Sequence, residues 1–250
     1  MEYLLEGTKL NKVFIEKDTE TCAVCDVDFY LSEGEILGIV GESGSGKSTL
    51  IKLIAKRLDP TSGALSHRGV DYTKESLRET GKFLQMIFQD AKSSFDPRKS
   101  MRFSIMEAGR GKKDEKELID IIHSVGLDEK LLDRRASELS GGQCQRMAIA
   151  RAIYSGAGIL LCDEITSALD VTIQSQVVEL LKRIKKERSL SIIFVSHDIA
   201  LVSMICNRIM IMKEGHLVEE GETAEVLCSP KSDYTRSLIQ NAIIMNGVYG

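Results

Sequence analysis

What this chain lacks narrows what it can be. No apolar run approaches the roughly 20 residues that a membrane-spanning helix needs. The first residues, Met1-Glu2-Tyr3-Leu4-Leu5-Glu6-Gly7, have neither the basic region nor the long apolar stretch of a signal peptide. A cytoplasmic chain is therefore expected, with any membrane role supplied through a partner. Excess positive charge is also missing: 33 Lys and Arg against 37 Asp and Glu give a net charge of −4, which argues against a general nucleic-acid binder. The single basic cluster, Lys182-Arg183-Ile184-Lys185-Lys186-Glu187-Arg188, has helical spacing and reads as a solvated helix face. Internal repeats and low-complexity tracts are absent. Cys22, Cys25, Cys144, Cys162, Cys206 and Cys228 offer one close pair, Cys22-x-x-Cys25, and no second pair or His-x-x-x-His completes a zinc site. Such a scattered set in a cytosolic chain is expected to be reduced.

What is present is enough for a sizeable core: 250 residues make one large domain or two small ones. From Tyr3 to Tyr30, apolar and polar residues alternate between turn-like breaks, which predicts an antiparallel sheet. From Gly34 the pattern becomes α/β. Buried strands are expected at 35–40, 83–88, 158–163, 191–196 and 208–212, with helices between them, which indicates a mainly parallel sheet covered on both faces. Asp59-Pro60-Thr61-Ser62-Gly63 is expected to stop the first helix. Residues 91–138 are more charged, and Leu118, Ile121, Ile122 and Val125 recur at helical spacing, so a small helical insertion is expected there.

Gly41-Glu42-Ser43-Gly44-Ser45-Gly46-Lys47-Ser48 fits G-x-x-x-x-G-K-[ST], the nucleotide phosphate loop. Its glycines allow backbone N–H groups to turn inward around phosphate oxygens. Lys47 adds a positive charge for the β- and γ-phosphates, and Ser48 offers a hydroxyl to Mg2+. The strand before the loop, and the helix expected from Ser48 and Thr49 onward, aim a helix N-terminus at the phosphates. Ile159-Leu160-Leu161-Cys162-Asp163-Glu164 is an apolar strand ending in two carboxylates. Asp163 falls where a carboxylate joins the Mg2+ shell, and Glu164 where one polarises an attacking water. Leu139-Ser140-Gly141-Gly142-Gln143 opens a further helix, expected over 143–154, with Ser140 as N-cap and Gly141 and Gly142 leaving N–H groups open to an anion. One phosphate loop already cradles one nucleotide, so the second Gly-rich start suggests a phosphate contact made from a facing subunit. By composition, the phosphate-loop pattern arises by chance in roughly 1 in 100 such chains and the LSGGQ run in about 3 in 10,000.

Together these motifs resemble the ATP-binding-cassette (ABC) ATPases over nearly the whole chain. The resemblance implies a single α/β domain with the P-loop ABC-ATPase fold. Residues 1–90 and 150–250 would form the nucleotide-binding core, with an N-terminal antiparallel β subdomain; residues 91–149 would form a helical subdomain carrying the signature. ATP and Mg2+ are the implied cofactors. The nucleotide would be held by Gly41, Ser43, Gly44, Ser45, Gly46, Lys47, Ser48 and Thr49. Gln89 matches the glutamine that touches Mg2+ and faces the transmembrane partner, so Ser48, Gln89 and Asp163 are the implied metal ligands. Ser140, Gly141, Gly142 and Gln143 match the signature that contacts the γ-phosphate bound by the opposite subunit. Ser167-Ala168-Leu169-Asp170 matches the loop that crosses the dimer interface, and His197 the switch histidine at the γ-phosphate. Phe14 occupies the aromatic place that stacks on adenine; Val13 beside it and a plain core role for Phe14 are the alternatives. Lys47, Glu164 and His197 are the implied catalytic residues.

The branch is suggested by two segments. Phe88-Gln89-Asp90 through Phe95-Asp96-Pro97-Arg98-Lys99 resembles the FQD…SLNPRK run of peptide and nickel importers, and looks more like the second ATPase of their pairs. Tyr234-Thr235-Arg236 is similar to their P-x-HPYTRxLL ending, with Ser232 and Asp233 in place of His-Pro. Three departures stand out. Cys228 has no neighbouring cysteines, so the iron–sulfur tail of some peptide importers looks absent. Ile165 replaces the usual proline, and the stretch between Gln89 and Ser140 looks short. The implied function is ATP hydrolysis driving import of peptides or of nickel or a metal chelate. The implied partners are a second, related ATPase, two membrane permeases and an extracytoplasmic solute-binding protein, with the chain on the cytoplasmic face of the membrane. Competing readings are an ATPase associated with carbon–phosphorus lyase, which the Pro-Arg-Lys run opposes, and a DNA-repair or ribosome-associated ATPase, whose long coiled coils or paired cassettes are absent. A non-hydrolysing regulator is opposed by Glu164 and His197.

Overall fold

The computed structural model describes residues 3–16, 19–111, 114–167 and 169–245; Met1, Glu2 and Ala168, and the last residues to Gly250, lie outside them. Strands β1 (Leu5–Glu16) and β2 (Thr19–Leu31) pair antiparallel, as the alternation predicts. Strand β3 (Ile36–Val40) is buried throughout and feeds the phosphate loop, which opens helix α1 (Lys47–Ile54). The chain then returns to the first sheet as β4 (Ser62–His67) and β5 (Val70–Asp71), giving the order β2-β1-β4-β5. Sequence reading placed that sheet wholly within residues 3–30 and missed the return. Helix α1 also stops earlier than the Asp59-to-Gly63 signal. Lys56 adopts a left-handed backbone (φ 56°) and its ammonium bonds Asp59 Oδ1 at 2.6 Å, so the break is made by Lys56 and braced by Asp59.

A short helix α2 (Leu77–Thr80) leads to β6 (Leu84–Ile87). Helices α3 (Met101–Ala108), α4 (Glu115–Ser124) and α5 (Gly141–Tyr154) follow as a packed group. Helix α5 begins two residues before the expected Gln143, because Ser140 and Gln143 form a reciprocal capping box that draws both glycines into the first turn. The second half alternates β7 (Ile159–Asp163), α6 (Val171–Arg188), β8 (Ser191–Ser196), α7 (Ile199–Ile205) and β9 (Arg208–Lys213). It ends with β10 (His216–Glu222), α8 (Thr223–Cys228) and α9 (Asp233–Met245). The large sheet runs β10-β9-β3-β8-β7-β6, parallel except for β10. No helix among the described residues is long and apolar enough to cross a membrane.

The buried strands serve two cores by period-2 alternation. Ile36, Val40, Leu160, Cys162, Ile192 and Phe194 point to one face and share a cluster with Ile105, Leu118, Ile121, Ile122, Val125 and Met147 of the helical segment. Leu37, Ile39, Ile159, Leu161, Ile193 and Val195 point to the other and pack with Leu50 and Ile51 of α1 and with Leu5, Leu10, Val24 and Phe29 of the small sheet.

Strand β2 departs from regular geometry where it meets the phosphate loop. Lys12 pairs with Val24 and Val13 with Cys22, so Ala23 is the extra residue of a β-bulge. In a regular strand, residues three apart face opposite sides. The bulge brings Cys22 and Cys25 to the same side, with Cα atoms 5.9 Å apart, and they are joined as a disulfide. This corrects the expectation of a fully reduced set; Cys144, Cys162 and Cys206 are free and buried, and Cys228 is free and exposed.

A buried ion pair fastens the two sheets together. Arg208 Nε, at the start of β9, lies 3.0 Å from Glu35 Oε1, and both side chains are almost fully buried. The same guanidinium donates to the Tyr30 carbonyl and lies 3.7 Å from the centre of the Tyr30 ring. Glu35 Oε2 accepts from the Ser32 N–H at 2.7 Å. Arg208→Ala would leave a buried carboxylate without its cation and should cost about 3–5 kcal/mol. Equilibrium urea denaturation measures this, and an unchanged midpoint would refute the role.

Candidate active site

The phosphate loop is shaped by backbone contacts that exclude a side chain at two positions. Gly46, the N-cap of α1, has φ 101° and ψ −7°. A Cβ there would lie 2.4 Å from the carbonyl oxygen of Ala23, the bulged residue. A Cβ on Gly41 would lie 2.2 Å from the carbonyl oxygen of Met212 on β9. The loop therefore passes between β2 and β9 with main chain against main chain. The cavity it encloses is lined by Ala23, by residues 43–49 and by Glu164.

Lys47 is buried inside this loop. Its Nζ donates to the carbonyls of Gly41 and Glu42, both at 2.8 Å, and lies 3.9 Å from Glu164 Oε1. Burial lowers its pKa, while the charges of Glu164, Asp163 and Glu42 push it back up. Asp163, the last residue of β7, is also buried, and desolvation followed by the Glu164 charge raises its pKa; Lys52, Lys47 and a hydrogen bond with Ser48 oppose the rise. Asp163 Oδ1 is buried with no hydrogen-bond partner. An orphaned carboxylate oxygen beside the Ser48 hydroxyl is a hard oxygen donor set, and it fits Mg2+.

Glu164 has φ 47°, the left-handed region that disfavours a non-glycine residue. Its N–H donates to the Val195 carbonyl at 3.1 Å, and its own carbonyl accepts from the Ser167 N–H at 3.1 Å and the Ser167 hydroxyl at 2.9 Å. These bonds hold the strained residue at the strand end, with its carboxylate turned toward both Lys47 and His197. His197 Nδ1 lies 3.6 Å from Glu164 Oε2 on a half-exposed ring. The Gln89 amide donates to the Ser167 hydroxyl at 2.9 Å, so a chain of hydrogen bonds runs from Gln89 through Ser167 to the Glu164 backbone.

Lys47, Ser48, Asp163, Glu164 and His197 thus come together, with Gln89 two hydrogen bonds behind, through Ser167. Ser140, Gly141, Gly142 and Gln143 do not join them: they open α5, exposed or half-exposed, and none lines the phosphate cavity. Ser140 accepts from the Gln143 N–H at 3.3 Å and donates its own N–H to Gln143 Oε1 at 3.0 Å. Phe14 sits on β1 with its ring exposed and Lys12 Nζ 5.3 Å from its centre, so the core alternative for Phe14 does not hold. Ser167, Leu169 and Asp170 precede α6, which Asp170 caps at the Ile173 N–H; Ala168 between them lies outside the described residues. Sequence reading missed Ala23. Its only signal is the break in strand alternation between Cys22 and Cys25.

Gly46→Ala should weaken nucleotide binding about tenfold or more, because it adds both left-handed strain and a clash with the Ala23 carbonyl. Titration with a fluorescent ATP analogue checks this, and wild-type affinity would sink the account of the loop.

The ABC transporter family profile matches residues 24–167. The oligopeptide transport ATP-binding protein OppF of Haemophilus influenzae is 41% identical over 237 residues, covering 91% of this chain and 71% of the relative. The methionine import ATP-binding protein MetN of Vibrio vulnificus is 36% identical over 249 residues, covering 96% of this chain and 71% of the relative. Among solved structures, a dimeric ATP-binding cassette in a post-hydrolysis state with ADP and Pi superposes with a TM-score of 0.78 at 26% identity, over 88% of this chain and 98% of that one. A cassette of Clostridium perfringens, part of an ABC transporter complex, gives a TM-score of 0.80 at 27% identity, over 98% and 96%. With its phosphate loop, its strand-end carboxylates and its signature helix on one such framework, the chain belongs to the ABC transporter family, as an ATPase subunit.

Proposed function

We propose that this chain is the ATP-hydrolysing subunit of a multisubunit importer of oligopeptides, working on the cytoplasmic face of the membrane. The observation that carries it is the gathering of Lys47, Asp163, Glu164 and His197 around the phosphate loop while the signature helix start stays outside that cavity. A site so divided is completed by a second cassette. The similar OppF proteins, named for oligopeptide transport, favour peptides over nickel as cargo. The remaining partners are two membrane permeases and a solute-binding protein outside the membrane.

Within this reading, the N–H groups of residues 43–49 wrap the β- and γ-phosphates, and Lys47 turns from the loop carbonyls to the phosphate oxygens. Ser48 and Asp163 would hold Mg2+, helped by Gln89, and the bound metal would neutralise phosphate charge. Glu164 Oε2 orients the attacking water and accepts its proton, and His197 stabilises charge on the γ-phosphoryl from the other side. The Ser140 hydroxyl and the N–H groups of Gly141 and Gly142 do the same for the facing subunit's nucleotide. Phe14 stacks on adenine. The bonds from Gln89 through Ser167 link the membrane-facing edge to Glu164, so movement of the permease alters the position of the base. Residues 91–149 act as the helical subdomain that carries the signature.

Glu164→Gln keeps the hydrogen-bonding shape and removes the base. It should retain ATP binding, lower turnover about 10²–10⁴-fold in the assembled transporter, and accumulate a closed dimer. Near-wild-type ATPase activity of that variant would remove Glu164 from its role. The tagged chain, purified from native membranes, should bring permeases and a peptide-loaded binding protein with it; a binding protein holding nickel or methionine would overturn the choice of cargo.

A further inference from the structure

The C-terminal helix reaches the phosphate loop through one hydroxyl. The Glu42 N–H donates to Tyr234 Oη at 3.2 Å, across 192 positions of sequence. Glu42 itself is exposed. Its N–H belongs to the Gly41–Glu42 peptide, which is bonded at both ends: its carbonyl, that of Gly41, accepts from Lys47 Nζ at 2.8 Å. Tyr234 is itself well fixed. Lys213 Nζ of β9 lies 5.0 Å from the centre of its ring, and its N–H donates to the Ser232 hydroxyl at 3.2 Å. The segment before it is tied down by Glu219 of β10, whose carboxylate accepts from the N–H groups of Lys231 at 2.8 Å and Ser232 at 3.1 Å. Thr235 is fully buried, and Arg236 closes the turn onto the Pro230 carbonyl at 3.2 Å. Further along α9, Leu238, Asn241 and Ala242 form one wall of a cavity of about 610 Å3, whose other wall includes Glu42, Ser43, Glu164 and His197.

We propose that Tyr234 is a positioning residue for the phosphate loop. Its hydroxyl fixes the Gly41–Glu42 peptide and, through the Gly41 carbonyl, the place of Lys47. The tail residues Tyr234, Thr235 and Arg236 are then one device: Thr235 and Arg236 seat the helix start, and Tyr234 delivers its hydroxyl to the loop. This inference rests on the reading that the loop holds ATP, and two separate measurements keep the two apart.

Tyr234→Phe removes only the hydroxyl and leaves the ring under Lys213. In the free chain, hydrogen exchange at the Glu42 amide should accelerate. In the assembled transporter, the KM for ATP should rise about two- to tenfold with kcat unchanged, the range expected for one net hydrogen bond. Lys231→Ala, which alters an exposed side chain of the same tail, should move neither quantity. Unchanged Glu42 exchange in Tyr234→Phe would overturn the contact. Faster exchange with an unchanged KM would overturn the positioning role. Failure of the wild-type chain to bind ATP would overturn the function reading instead, and the exchange measurement on the free chain would still decide for or against the contact.

Discussion

The site depends on main chain packed against main chain. The phosphate loop runs between the Ala23 carbonyl of the small sheet and the Met212 carbonyl of the large one, with clearances that admit only hydrogen at Gly46 and Gly41. Everything that acts on a phosphate is referred to this constraint. It aims the first turn of α1, buries Lys47 within reach of two loop carbonyls, and brings Ser48 beside Asp163. A side chain at either glycine would separate the sheets or move the loop. The buried Arg208–Glu35 pair guards the same spacing from below, since it joins the start of β9 to the residue before β3 and to the Tyr30 carbonyl.

Much of this was legible in the sequence because the chemistry is local. A phosphate loop needs its glycines and lysine in a fixed order, and a strand that ends in Asp163-Glu164 must present them at its C-terminal edge. The parallel strands were readable for the same reason: a strand buried on both faces is a short apolar run. What was not legible is what depends on distant partners. The return of the chain as β4 and β5 follows from pairing with β1, and nothing within residues 62–71 announces it. The Ala23 bulge is set by register against β1, and the disulfide between Cys22 and Cys25 depends on it, so the sequence supports only the expectation of reduced thiols. The contact between Tyr234 and Glu42 spans most of the chain, and the motif around Tyr234 marked a relationship without stating a physical task.

The separation between the phosphate cavity and the signature helix gives the molecule its logic. One chain carries the lysine, the carboxylates and the histidine at one place and the capped, glycine-opened start of α5 at another. The cost of keeping α5 ready is small, because Ser140 and Gln143 satisfy each other's N–H groups through the capping box. The first-turn glycines remain exposed or half-exposed, and a Cβ on Gly141 would meet nothing within 4 Å, so the approach to this helix start is open.

The left-handed backbone of Glu164 has a consequence for how far this fold can be stabilised. A residue held there costs about 1–3 kcal/mol, an amount comparable to a buried methyl group or a helix cap. Glycine at that position would relieve the strain and make a sturdier protein, but it would take away the carboxylate that faces both Lys47 and His197. Backbone relaxation and the carboxylate are therefore opposed at this one position.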